Sequence, residues 1–164
     1  MANRALGPAA ILRRMERINI VNAENLAGRV DVGRAVGSTE MLMFIYDLAP
    51  GQASSPYHYE YDEEWLLVVE GTVVLRAPDG EHTLERGDLV RFPRGPDGAH
   101  RVMNRSDAPA RTLMFSSVRG LGVAVYPDSD KIGVFPGDEA NDLVFKRATA
   151  VPWAEGEEGW DRAT

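Results

Sequence analysis

Cysteine is absent from the 164 residues. That removes disulfides and thiolate metal ligands from consideration, and it fits a reducing compartment. Long apolar runs are also lacking. Nothing is long enough to span a membrane, and the opening stretch MANRALGPAAILRRMERINIV has no secretory leader core. A soluble cytoplasmic protein is expected. There is no basic excess either: the formal net charge is -7, which argues against nucleic acid as a partner, because phosphate neutralisation needs a basic face. Arg13, Arg14 and Arg17 do cluster near one end, where they read as a solvated face. No internal repeat, low-complexity linker or separate helix-turn-helix is evident, and no helical periodicity runs between Thr39 and Val118.

What is present is a series of short apolar runs broken by turn residues. The chain carries 16 Gly and 10 Pro, and they punctuate strands rather than helices. TEMLMFIYDL (39–48), EWLLVVEG (64–71), TVVLRA (72–77), EHTLE (81–85), LVRF (89–92), AHRVMN (99–104) and ARTLMFSSV (110–118) follow one another, with turns such as Pro78 to Gly80 and Arg86 to Asp88 between them. Evenly spaced short strands predict an all-β sandwich or barrel. The length suits a single domain. Its parts are an extension over 1–38, a core over 39–118, and further strands with an acidic tail over 119–164. The first extension is expected to hold a helical turn near Ile11 to Arg17 and a strand near Ile18 to Val21. Trp65, Leu67 and Val69 alternate with Leu66 and Val68, so this strand is apolar on both faces, as in a wall packed against a second layer or second subunit.

Chemistry concentrates in PYHYEYDEEW (56–65). Residues i and i+2 of a strand share a face, so His58 and Glu60 point the same way. Glu64 has the same parity and Glu63 is its rival. His100 opens another strand after a Gly/Pro loop. Two imidazoles and one or two carboxylates converging inside a barrel make a first shell for a divalent metal. His82, beside a turn and a charge, reads as an exposed strand residue with no role.

These residues also carry a resemblance. Gly51, His58-Tyr59-Glu60, three residues, Glu64, six residues and Gly71 resemble the first motif of the cupin family. Gly87, DLVRF, Pro93-Arg94-Gly95, PDGA, His100, RVM and Asn104 resemble the second. Two departures stand out: Glu60 replaces the second His of the pair, and four residues rather than two separate Gly95 from His100. YPDSDKIGVF and AVPWAEGE are similar to segments of small single-domain bacterial cupins, a likeness that brings no reaction with it.

The resemblance implies a double-stranded β-helix, or jelly-roll barrel, with short terminal extensions. It also implies one divalent ion per chain, Mn, Fe or Zn with Ni as a further option, on His58, Glu60, Glu64 and His100. Glu60 stays open between direct ligation, service as a base, and contact with water. Gly51, Gly71, Gly87, Pro93 and Gly95 would shape turns, and Asn104 would tie a loop. A homodimer is implied by analogy, with a small-molecule ligand, no nucleic acid and no membrane. Two functions fit. One is a metal-dependent isomerase, lyase or dioxygenase on a small polar metabolite. The other is a non-catalytic binding or sensing barrel whose metal is structural or absent, since one fold hosts many activities.

Overall fold

Alternating burial sets the architecture. In the strand Ala110–Ser117, every second side chain from Ala110 to Ser116 is buried and those between are half-buried, the signature of a sheet with one face on a core. A computed structural model describes residues 17–22, 28–117 and 120–157. In chain order the strands are β1 (Gly28–Asp31), β2 (Met41–Leu48), β3 (Tyr59–Glu60), β4 (Glu64–Glu70), β5 (Thr72–Ala77), β6 (Gly80–Glu85), β7 (Leu89–Phe92), β8 (Arg101–Met103), β9 (Ala110–Ser117), β10 (Gly122–Tyr126), β11 (Lys131–Phe135) and β12 (Leu143–Lys146); a single helical turn, α1 (Val32–Ala35), follows β1. They form sheets ordered β1-β2-β9-β4-β7, β12-β11-β10-β3 and β6-β5-β8, in a jelly-roll barrel. None of the described helices is long and apolar enough to cross a membrane.

The inner faces of the large sheet and of β5 and β8 enclose the main core. Leu48, Leu66, Val68, Val73, Leu75 and Phe92 are among its buried members. Burying each such side chain contributes roughly 1.5–3 kcal/mol. A smaller core lies on the outer side of the large sheet, where Val30, Val32 and Ile45 are buried against Ile18, Ile20, Met43 and Leu113. Part of that sheet thus gains the second layer its two apolar faces require. Arg111 clamps this layer: its guanidinium grips Asp47 at 2.6 and 2.8 Å and donates to the carbonyls of Ile20 and Val21, each at 3.1 Å.

Two regions differ from the sequence expectation. Ile18 to Val21 form a bend instead of a strand, because the Asn19 side chain accepts from the N–H groups of Val21 and Asn22 at 3.0 and 2.9 Å, a local bond that competes with sheet pairing. The helical turn placed near Ile11 to Arg17 lies outside the described residues, except for Arg17, which is not helical. Beyond the 39–118 core, β10 pairs with β3, Ala124 opposite Glu60 and Val125 opposite Tyr59, so the C-terminal strands help to frame the barrel.

The two motifs lie against each other. Gly51 N–H donates to the Asn104 carbonyl at 2.8 Å, Asn104 N–H to Gln52 at 2.8 Å, and Ser54 N–H to Val102 at 3.0 Å. Gly51, Gly71, Gly87 and Gly95 all have positive φ. At Gly71 the requirement is double: φ is +76°, and a Cβ would stand 2.8 Å from the Pro109 carbonyl oxygen, where β4 also shifts register between Val68 and Glu70. Asn104 is fully buried. Its amide donates to the carbonyls of Leu48 and Ala108, both at 2.8 Å, and its oxygen accepts from the Ser106 N–H and hydroxyl at 2.9 and 2.7 Å. Asn104→Ala orphans two carbonyls at once and is expected to cost about 3 kcal/mol in urea unfolding, against less than about 0.5 kcal/mol for Thr83→Ala on the exposed β6.

Candidate metal centre

His58 and His100 face each other across a two-residue antiparallel bridge. His58 N–H donates to the His100 carbonyl at 3.1 Å, and His100 N–H donates to the His58 carbonyl at 2.7 Å. The imidazole centroids are 4.7 Å apart. Each ring is then oriented by a carbonyl two residues upstream: Nδ1 of His58 lies 3.0 Å from the Pro56 oxygen, and Nδ1 of His100 lies 2.9 Å from the Gly98 oxygen. These contacts place the proton on Nδ1 and leave an Nε2 lone pair directed into the barrel, the arrangement in which a neighbouring carbonyl fixes a metal-binding imidazole. Phe92 stacks on His100 at 3.8 Å, and Tyr126 stacks on His58 at 5.8 Å.

The four-residue gap before His100 has a structural role. Pro96–Gly98 make a 3-10 turn, and the Gly98 carbonyl at its end is the acceptor for His100. A side chain at Gly98 would overlap the Pro93 carbonyl oxygen. Gly95 N–H donates to the Glu60 carbonyl at 2.8 Å, joining this loop to the first motif.

Glu64 opens β4 on its inward face, with Oε2 3.8 Å from His100 Nε2. Donor atoms of His58, Glu64 and His100 lie within 4.8 Å of one another. Glu60 points the same way, with Oε1 3.9 Å from His58 Nε2, but it stands outside that group of three. Glu63 turns outward, where it accepts from the Trp65 indole at 3.0 Å and pairs with Arg91 at 2.7 Å. His82 is exposed on β6 and contacts Asp79 at 2.9 Å.

Burial governs the charges. It lowers the His58 pKa, and with the neighbouring His58 it takes His100 down to about 3, so both rings are neutral and able to donate lone pairs. Burial raises Glu64 to about 8, helped by Glu60 and Asp62, and raises Glu60 to about 7, helped by Asp62. Two buried acids with no cation among them favour their neutral forms; a divalent ion is the counter-charge that reverses this. His100 Nε2 is buried without a hydrogen-bond partner. A water-excluded nitrogen lone pair, a second imidazole and a carboxylate at short range form a donor set that fits a divalent metal of the Mn, Fe or Zn type.

The cavity in front of these groups has a volume of about 130 Å³, and its walls include Arg29, Phe44, Tyr46, Ser54 and Met114. Sequence reasoning named none of these. Tyr46, Phe44 and Met114 lie on strands apolar on both faces, where parity alone does not select the inner side.

Residues 44–116 match the cupin domain family. The chain is also 30% identical to a solved structure from Silicibacter pomeroyi described as a sugar phosphate isomerase from a cupin superfamily, with 78% of this chain and 82% of that one covered and a TM-score of 0.68. The chain belongs to the cupin superfamily. It is 32% identical over 79 residues to the tetracenomycin polyketide synthase protein TcmJ of Streptomyces glaucescens, covering 48% of this chain and 52% of that protein. It is 30% identical over 77 residues to protein SchB of Streptomyces halstedii, covering 47% and 54%. This cupin spans about half the length of those curated relatives.

In this cupin the donors and their protons are linked. Glu64 holds a proton below about 8 and must release it to bind a metal, whereas the histidines are already neutral. Metal affinity should therefore rise with pH and level off above about pH 9. Calorimetric titration with Mn(II) in buffers of different ionisation enthalpy is expected to read between about one and two protons released per ion near pH 7, from Glu64 and Glu60 together, and none above that plateau. Glu64→Gln should abolish tight binding and remove the larger part of the linkage.

Proposed function

We propose that this cupin is a metal-dependent enzyme that shifts a proton on a small polar carbonyl metabolite, as an isomerase or lyase does. His58, Glu64 and His100 would hold the ion. When bound, a divalent ion supplies Lewis-acid polarisation of a substrate oxygen. The observation that carries the reading is Glu60. It lines the cavity beside the three donors without belonging to their group, with Oε1 3.9 Å from His58 Nε2, so its carboxylate is within reach of a substrate held there and free to act as a general base.

In the step proposed, the Glu60 carboxylate takes the proton from the carbon next to a carbonyl. It returns that proton to the former carbonyl carbon while a hydroxyl proton passes between the two oxygens. No external reactant enters. Tyr46 lines the cavity, and burial raises its phenol pKa despite the nearby Arg29, so it is a hydrogen-bond donor to a substrate oxygen. A relative described as a sugar phosphate isomerase supports this class of reaction. Phe44 and Met114 in the cavity wall, with the polyketide synthase relative, support a second reading in which the carbonyl belongs to a more apolar substrate. A homodimer would be built on the outer face of the large sheet. There Trp65 stacks on Phe115 with centroids 6.2 Å apart, and Leu89 and Met41 are exposed.

Glu60→Gln is the decisive variant. The proposal expects Mn(II) affinity to change by less than about threefold, while turnover of hydroxy-carbonyl substrates falls by at least about 100-fold and the acid limb of the pH profile disappears. Loss of metal binding would make Glu60 a fourth ligand. Turnover that requires air and fails under nitrogen would replace the isomerase reading with dioxygen chemistry. For assembly, light scattering should give about twice the 18.0 kDa chain mass, reduced to the monomer by Leu89→Arg.

A further inference from the structure

Arg29 sits on β1 directly opposite Tyr46 of β2. It lines the same cavity as His58, Glu60 and Glu64, with its guanidinium 4.0 Å over the Phe44 ring. Tyr46 lines that cavity too and senses both sides: burial raises its phenol most, Arg29 opposes this through its charge and a hydrogen bond, and Glu64 and Glu60 raise it further. Arg29 is itself exposed at its outer side.

Most cations of the barrel wall are neutralised. Arg76 pairs with Asp128, Arg91 with Glu63, Arg105 with Glu81, and Arg111 with Asp47. The acids of Arg29's own hairpin are committed: Asp31 accepts from the Arg34 N–H at 2.8 Å, and both oxygens of Asp47 serve Arg111. Among the described residues no carboxylate forms an ion pair with Arg29. With Glu60 and Glu64 ionised, a divalent ion held there would cancel their two charges, and the cavity would keep the single positive charge of Arg29.

We infer that Arg29 is a specificity-determining residue that receives an oxyanion, phosphate or carboxylate, carried by the substrate at the end remote from the three donors. The inference rests on the metal-centre reading and deepens it: the substrate is an anionic hydroxy-carbonyl compound. A guanidinium seated over an aromatic ring is held in place by that ring's face, and charge-assisted bonds to oxyanions are the strong ones. Tyr46 shares the contact and couples the anion site to the acids.

The test is calorimetric binding to Mn(II)-loaded protein with paired probes. One arm compares 3-phosphoglycerate with glycerate, which differ only in the distal phosphate. The other compares malate with lactate, which differ in a distal carboxylate. In wild type the member carrying the distal anion is expected, in at least one pair, to bind at least about tenfold tighter, and the arm that shows it names the oxyanion. Arg29→Gln should bring that ratio to within about threefold while leaving binding of Mn(II) and of the partner without the distal anion unaffected. Arg29→Lys should restore part of it. Arg34→Gln, an equal charge change on α1 away from the cavity, should leave the ratio intact. The inference is overturned if wild type shows no preference in either arm, if Arg29→Gln preserves it, or if Arg34→Gln lowers it equally. Failure of wild type to bind Mn(II) would instead defeat the metal-centre reading, and this inference with it.

Discussion

The reciprocal backbone bonds between His58 and His100 are the constraint on which the site depends. They fasten the segment leading into β3 to the segment leading into β8, which are far apart in sequence. With the contacts among Gly51, Gln52, Ser54, Val102 and Asn104 they form one continuous seam. Imidazoles attached to loops would lose much of their donor strength to conformational entropy. Here the backbone is fixed by pairing and each ring by its own upstream carbonyl, so little freedom remains to be lost when a ligand arrives.

The acids obey the opposite logic. Glu60 and Glu64 are held where solvent is scarce and where they oppose one another, and in that setting they prefer to be neutral. The same strain makes them responsive. A cation brought among them changes their protonation, and with it the charge that Tyr46 and Tyr126 experience. A carboxylate in place of the family's second histidine thus does more than exchange one donor for another. It adds a proton-carrying group at the edge of the donor set.

Much of this was legible in the sequence because motif spacing and strand parity are local properties. Turn glycines and short apolar runs delimited β2 and β4 to β9. The even parity of His58, Glu60 and Glu64 favoured Glu64 over Glu63, and Glu63 indeed spends both its oxygens on Trp65 and Arg91. Non-local properties were not legible. β1 is four residues long and β3 only two, too short to show a period, and both exist because longer strands recruit them. The pairing of β10 with β3 joins residues far apart in sequence. The cavity walls of Phe44, Tyr46 and Met114 depend on which face of a doubly apolar strand turns inward. Arg29 had no signal beyond its type, since its importance comes from the acids it does not meet.

The unpartnered Nε2 of His100 has a consequence for the life of the polypeptide. A dry lone pair with nothing to accept is an energetic debt of the native state, and the unfolded chain, with its imidazole in water, does not carry it. An ion that satisfies this nitrogen binds the native state alone and shifts the folding equilibrium by mass action. With an ion bound there as proposed, its supply would set how much of this added stability the native chain keeps.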